Sequence, residues 1–158
     1  WAASATFDEA LLQQFLSDPY FQLKPPKSTG PEYFNFKWIQ THLAKLNRQV
    51  SPASVQTTLC ELVAVSISRA IQAIKSIHGV ILLCGGGSKN IYLRKRIQQH
   101  CHPHQVLLTD DRGAPSDWVE AMAFAWIAKQ TLEGKPSNLP EVTGAKYATI
   151  LGGIYLKA

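Results

Sequence analysis

Through the first half of the chain, apolar residues recur at helical rather than strand spacing. Leu11, Leu12, Phe15 and Leu16 share one face behind Asp8, a natural N-cap, which predicts a helix from Asp8 to Ser17. Asp18-Pro19 stops it. Ile39, Leu43 and Leu46 fall at i, i+4 and i+7 and predict a second helix from Phe36 to Leu46. The third is the clearest. Ser51 can cap it, and Pro52 sits at the first helical position, where its missing N–H costs nothing. Val55, Leu59, Leu62, Val63, Ile67, Ile71 and Ile74 then hold helical spacing, and so broad an apolar face predicts deep packing. His78-Gly79 is the expected end.

The pattern changes at Val80. Val80 to Cys84 is continuously apolar, as in a strand buried on both faces of a parallel sheet. Gly85-Gly86-Gly87 follows, then a helix from about Asn90 to His100 and a second strand from Val106 to Thr109. Asp110 to Pro115 is a polar loop. Ser116 or Asp117 is placed to cap a last strong helix, with Met122, Ala123, Trp126 and Ile127 as its expected buried stripe. Gly134 and Pro136 end that helix. Ser137 to Ala158 is loop-like with a short apolar end, Ile150 to Tyr155. The order helix, helix, helix, strand, helix, strand, helix implies α/β layering. Two strands make no self-sufficient sheet, so part of the sheet is expected from elsewhere.

A length of 158 residues suits one domain. With 46% apolar and 17% charged residues, the chain has too much hydrophobicity and too little charge for disorder. No apolar run approaches the ~20 residues of a spanning helix. The net charge is +5, but the basic residues are scattered, with the densest group at Lys89, Arg94, Lys95 and Arg96. A nucleic-acid binder would carry a longer basic stripe with aromatic platforms. Cys60, Cys84 and Cys101 are odd in number and widely spaced, which argues against a disulfide framework and for a reducing compartment. The first residue is Trp1 rather than Met, so a piece of something longer is expected.

Four segments are candidates for chemistry. In Cys84-Gly85-Gly86-Gly87-Ser88-Lys89-Asn90 a strand runs into glycines that let a ligand approach the backbone, just before a helix start. The pattern is neither GxGxxG nor GxxxxGK[ST]. A tight strand–helix turn is the plainer reading, although three glycines exceed what a turn needs. Asp110, Asp111, Asp117 and Glu120 follow a strand, where α/β ligands bind; Asp117 and Glu120 equally make a capping box, and Asp110 and Asp111 equally stay solvated. Lys27, Ser28, Thr29 and Gly30 form either a rigid proline-pinned loop or an anion site. His100-Cys101-His102-Pro103-His104 has ligand types for a metal, but so short a turn cannot converge them.

Four segments, in chain order, carry a resemblance. They are Pro26-Lys27-Ser28-Thr29-Gly30-Pro31-Glu32-Tyr33-Phe34-Asn35, the CGGGSKN run, Ser116-Asp117-Trp118-Val119-Glu120-Ala121-Met122-Ala123-Phe124-Ala125-Trp126, and Asn138-Leu139-Pro140-Glu141-Val142-Thr143-Gly144-Ala145. Together they resemble the C-terminal half of the anhydro-N-acetylmuramic acid kinases, bacterial enzymes of cell-wall recycling. Pro31 departs from the family, which usually has a basic residue there. The resemblance implies the C-terminal lobe of an actin-like ATPase (ribonuclease H-like) fold, helix-rich with a small, mostly parallel sheet lacking its N-terminal strands. Residues 1–158 would be that single lobe, without its N-terminal partner.

The resemblance also implies ATP and Mg²⁺, and hydrolytic opening of 1,6-anhydro-N-acetylmuramic acid to N-acetylmuramic acid 6-phosphate. It implies a cytoplasmic homodimer with no nucleic-acid or membrane partner. Gly85, Gly86 and Gly87 match the family's adenosine-binding turn, Asn90 the Asn after it, and Glu120 the acidic residue facing the sugar. No catalytic residue matches within this chain: the family's phosphate loop and the Asp that activates water do not occur in it. The piece is therefore expected to be inactive alone. A non-enzymatic α/β module that binds a nucleotide or a protein partner is the alternative.

Overall fold

A computed structural model describes residues 1–74 and 79–155. Its elements are α1 (Glu9–Leu16), α2 (Phe36–Ala44), α3 (Pro52–Gln72), β1 (Val80–Leu83), α4 (Ile91–His100), β2 (Gln105–Leu108), α5 (Val119–Leu132) and α6 (Pro140–Thr143). Single 3₁₀ turns lie at Pro19–Gln22, Gly86–Lys89 and Thr109–Arg112. The expected order of helices and strands holds.

Helix starts follow local chemistry. The Asp8 side chain accepts from the Leu11 N–H, Asn35 from Trp38, Ser51 from Ser54 and Asn90 from Leu93. Each bond satisfies a donor that the first helical turn leaves free.

Helix α3 is the shared wall of two cores. On one side Leu62 joins Leu11, Leu12, Phe15 and Leu16 of α1, with Trp38, Ile39 and Leu43 of α2 packed around them. On the other, Ala64 joins Ile97 and Cys101, with Ile67, Ile71, Ile81, Leu83 and Val106 packed around. Fully burying one such large side chain contributes about 1.5–3 kcal/mol. Of the predicted apolar face of α3, Leu62 is buried and Val55, Leu59, Ile67 and Ile71 pack half-buried against the two cores, but most of the deepest positions are others. Thr57, Thr58, Cys60, Glu61, Ala64 and Ser68 are buried, whereas Val63 is exposed. Thr58 lies toward α1, its hydroxyl accepting the Asp8 N–H at 2.9 Å, while Glu61 and Ala64 meet α4. The helix ends at Gln72, with Ile74 exposed; the predicted stop at His78 lies outside the described residues.

β1 and β2 are parallel, in register from Val80 opposite Gln105 to Leu83 opposite Leu108, and α4 connects them. β1 is not buried on both faces: Ile81 and Leu83 point into the second core, and Leu82 is 43% exposed. The described helices cover one face only.

Helix α5 also departs from expectation. Met122, Ala123 and Trp126 are exposed and only Ile127 is half-buried, so the predicted stripe is not buried. Nor do Ser116 or Asp117 cap it; Trp118 holds that position without a side-chain bond. The helix is apolar nearly all round and packs extensively on no other described element. The tail beyond it carries one short helix, α6, that the pattern did not predict, and Ile154 and Tyr155 stand exposed. No helix among the described residues is long and apolar enough to cross a membrane.

Candidate functional site

The site is built at the C-terminal ends of the two strands. β1 ends at Leu83, Cys84 follows, and the chain turns at Gly85 with φ 77° and ψ 179°. That conformation belongs essentially to glycine. The Ser88 N–H and hydroxyl both donate to the Gly85 carbonyl, at 3.0 and 2.7 Å, and close the turn. Asn90 then caps α4, its Oδ1 accepting from Leu93 N–H at 3.0 Å.

Gly86 and Gly87 differ from Gly85. Neither has a positive φ, and a Cβ placed on either would meet nothing within 4 Å. Both are exposed. Neither backbone conformation nor packing within this chain calls for glycine at these two positions. The turn is an open wall rather than a cavity.

The second wall follows β2. Asp111 Oδ2 accepts from Leu108 N–H at 2.9 Å, and Asp110 Oδ2 accepts from Ser116 N–H at 3.1 Å. Gly113, with φ 80°, closes the loop between them. The Ser116 bond holds the Asp110 carboxyl below its usual range, with the Lys89 charge adding to it. Both aspartates thus order the loop, each through one carboxylate oxygen.

The two walls meet. The Gly85 N–H donates to the Ser116 carbonyl at 3.0 Å, and Lys89 Nζ lies 2.8 Å from Asp117 Oδ2. Asp117 is therefore a partner of the glycine turn and not a helix cap. Glu120 sits in the first turn of α5, exposed, with no side-chain hydrogen bond or ion pair among the described residues.

The other candidates lie apart from these walls. Lys27 Nζ donates to the Tyr20 carbonyl at 3.0 Å and sits 4.6 Å above the Tyr20 ring, so its charge is used in holding its own loop. That loop meets the α6 end: Pro26, Lys27 and Ser28 face Val142, Thr143 and Gly144 across a cleft of about 500 Å³. The rigid-loop reading fits these contacts. An apolar groove of about 430 Å³ lies between α2 and α3, lined by Phe34, Trp38, Leu59 and Leu62 among others. It touches neither wall.

His100 is taken up by a group that the sequence reading missed. Glu61, 1% exposed, receives Arg96 Nε at 2.5 Å and a second Arg96 nitrogen at 2.6 Å, and His100 Nε2 lies 2.6 Å from it. Burial raises the Glu61 carboxyl, but the Arg96 and His100 bonds outweigh it and leave the group below its usual range. One signal was available, since Glu61 and Arg69 are the only charges in α3.

Asp18 is a second such hub. It accepts from Tyr33 Oη and Trp38 Nε1, both at 2.8 Å, and from Tyr20 N–H at 2.9 Å. The three cysteines are free thiols, with Cys60 and Cys101 buried and Cys84 exposed. Among the described residues no three His, Cys, Asp or Glu side chains gather as metal ligands.

Comparison with known proteins bears on this geometry. The family model described as anhydro-N-acetylmuramic acid kinase matches residues 1–157. A protein of Coxiella burnetii (strain RSA 493 / Nine Mile phase I) named anhydro-N-acetylmuramic acid kinase is 48% identical over 155 residues, covering 98% of this chain and 41% of its own length. One of Pseudomonas savastanoi pv. phaseolicola with the same name is also 48% identical, over 98% of this chain and 42% of itself. One of Pseudomonas syringae pv. tomato, again so named, is 47% identical. The chain spans about two-fifths of the length of these curated relatives.

Proposed function

The chain belongs to the anhydro-N-acetylmuramic acid kinase family, and we propose that residues 1–158 supply the nucleotide-holding lobe of such a kinase. The lobe would be of the actin-like, ribonuclease H-like kind. The proposed reaction consumes ATP, water and 1,6-anhydro-N-acetylmuramic acid. Water adds at C1 as the C1–O6 bond breaks, O6 takes the γ-phosphoryl group, and ADP and a proton leave with N-acetylmuramic acid 6-phosphate. The context would be peptidoglycan recycling by a cytoplasmic homodimer.

The observation that carries the reading is the pair Gly86 and Gly87. They are glycines that the chain itself does not need, on an open wall. A ligand lying flat against the backbone does need them, because a Cβ would occupy its contact surface. In this reading Gly85, Gly86 and Gly87 face the adenosine. Asn90 stands beside them, its oxygen capping α4 and its side-chain amide nitrogen without a partner among the described residues. Glu120, unpartnered among the described residues and tied to the same turn through Ser116, would accept from the sugar hydroxyls.

Mg²⁺ would arrive on the nucleotide phosphates and keep most of its water, as it commonly does. Asp110 and Asp111 each accept a backbone N–H through Oδ2, which leaves Oδ1 of each for water on the metal. The group that activates water belongs, in this reading, to the part of the relatives that the chain does not match. Residues outside this chain would also cover the open face of β1 and the apolar surface of α5.

The test is direct. The natural polypeptide carrying this chain is incubated with ATP, Mg²⁺ and the anhydro sugar in ¹⁸O-water. The reading expects ADP and sugar 6-phosphate in equal amounts, with one heavy oxygen at C1. Nucleotide binding without turnover would favour the non-enzymatic module.

A further inference from the structure

Two motifs thirty residues apart are held together by one residue, Ser116. Its N–H donates to Asp110 Oδ2 at 3.1 Å, and its carbonyl accepts from Gly85 N–H at 3.0 Å. Asp110 itself is fixed. The Gly113 N–H donates to the Asp110 carbonyl and the Ala114 N–H to that of Thr109, both at 3.1 Å, so the loop closes on its own backbone. A bridge thus runs from the end of β2, through Ser116, to the end of β1. Two residues beyond Ser116 the chain reaches Trp118, and α5 begins with Glu120 in its first turn. The parallel tie, Lys89 to Asp117, joins two exposed side chains. Exposed pairs contribute little and are screened by salt, so the weight falls on the Ser116 bridge.

We propose that Asp110 is a positioning residue: by orienting Ser116 it sets where Glu120 stands relative to the glycine turn, and so couples the two walls. It touches neither substrate. The inference rests on the kinase reading above, in which the nucleotide and the sugar occupy those walls. Placing two reactants is where small displacements are expensive, since effective concentration falls steeply with misalignment. A carboxylate is not required for the task. Any side chain with a suitably placed carbonyl oxygen can receive the Ser116 N–H.

The experiment uses the natural polypeptide carrying this chain, as wild type, Asp110→Ala and Asp110→Asn. It reads kcat, KM for ATP, KM for the anhydro sugar, melting temperature, and hydrogen exchange at the Gly85 amide. Asp110→Ala is expected to raise both KM values about tenfold, with at most a small fall in melting temperature, and to speed Gly85 exchange. Asp110→Asn is expected to stay within about twofold of wild type, because its amide oxygen still accepts. The proposal is overturned if Ala leaves both KM values and Gly85 exchange as they were, if only the melting temperature moves, or if Asn behaves like Ala. Should wild type turn over no sugar, the kinase reading fails by itself, and Gly85 exchange in the Ala variant alone decides whether Asp110 holds the turn.

Discussion

Alanine placed one at a time along Gly85-Gly86-Gly87 separates backbone need from ligand need. At Gly85 the backbone has φ 77° and ψ 179°, a region that an L side chain enters at a cost of about 1–3 kcal/mol. Gly85→Ala should therefore unfold earlier, each lost kcal/mol lowering Tm by about 2–4 °C in a domain of this size. At Gly86 and Gly87 φ is not positive and the new Cβ meets nothing within 4 Å. Gly86→Ala and Gly87→Ala should leave stability unchanged or raise it by about 0.4–1 kcal/mol, through the stiffer unfolded chain. The same two changes should weaken ATP. A methyl group forced into a close contact costs about 1–3 kcal/mol. That is about 5- to 150-fold in Kd. Thermal melts and nucleotide titrations on the same samples give both numbers. Full ATP affinity in Gly86→Ala at an unchanged Tm would refute the reasoning, since the glycines would then serve neither fold nor ligand. A lowered Tm in Gly86→Ala would return them to the backbone.

Other expectations follow from the hubs and one turn. Glu61→Gln should cost about 1–3 kcal/mol in denaturant unfolding, because it weakens the charge-assisted bonds from Arg96 and His100, whose side chains remain partly exposed. Replacing Glu61, Arg96 and His100 together by leucine should recover most of that loss. Asp18 is held below its usual range: burial raises it, and the Trp38, Tyr20 and Tyr33 bonds more than offset this. Glu61 is held low likewise, so both carboxylates contribute stability above their ordinary values that is lost as pH falls through the folded ones. Acid unfolding should accordingly steepen below about pH 4, and less so in Asp18→Asn; equal slopes in pH-dependent melts would contradict it. Gly144 has φ 74°, and its Cβ would lie 3.2 Å from Pro26 Cγ. Gly144→Ala should therefore cost about 1–3 kcal/mol and expose the Pro26 loop to proteolysis, unlike alanine at the exposed Gly86.

Much of the architecture was legible from residues a few positions apart. Asp8, Ser51-Pro52 and Asn90 start helices because an N-cap oxygen and its amide lie within one turn, whatever the rest of the chain does. The glycine turn after an apolar strand was legible for the same reason, but that Gly85 alone is its pivot came from the backbone angles. The family followed from four motifs in order. The sequence also placed Glu120 at a helix start but assigned Asp117 to a cap, when its side chain is held by Lys89 from another segment. Asp110 and Asp111, open between solvent and ligand on spacing alone, each fasten the loop through one carboxylate oxygen.

What only the tertiary structure decided is which distant groups meet. Glu61 faces residues 35 and 39 positions away, Asp18 gathers donors from up to 20 away, and Gly85 bonds to Ser116. A carboxylate accepts from whatever donor arrives, so its partner is set by how α3 and α4, or the two strand ends, come together. Exposure is decided the same way. Helix α5 is apolar on every side, and periodicity can name a buried face only where a polar one contrasts with it.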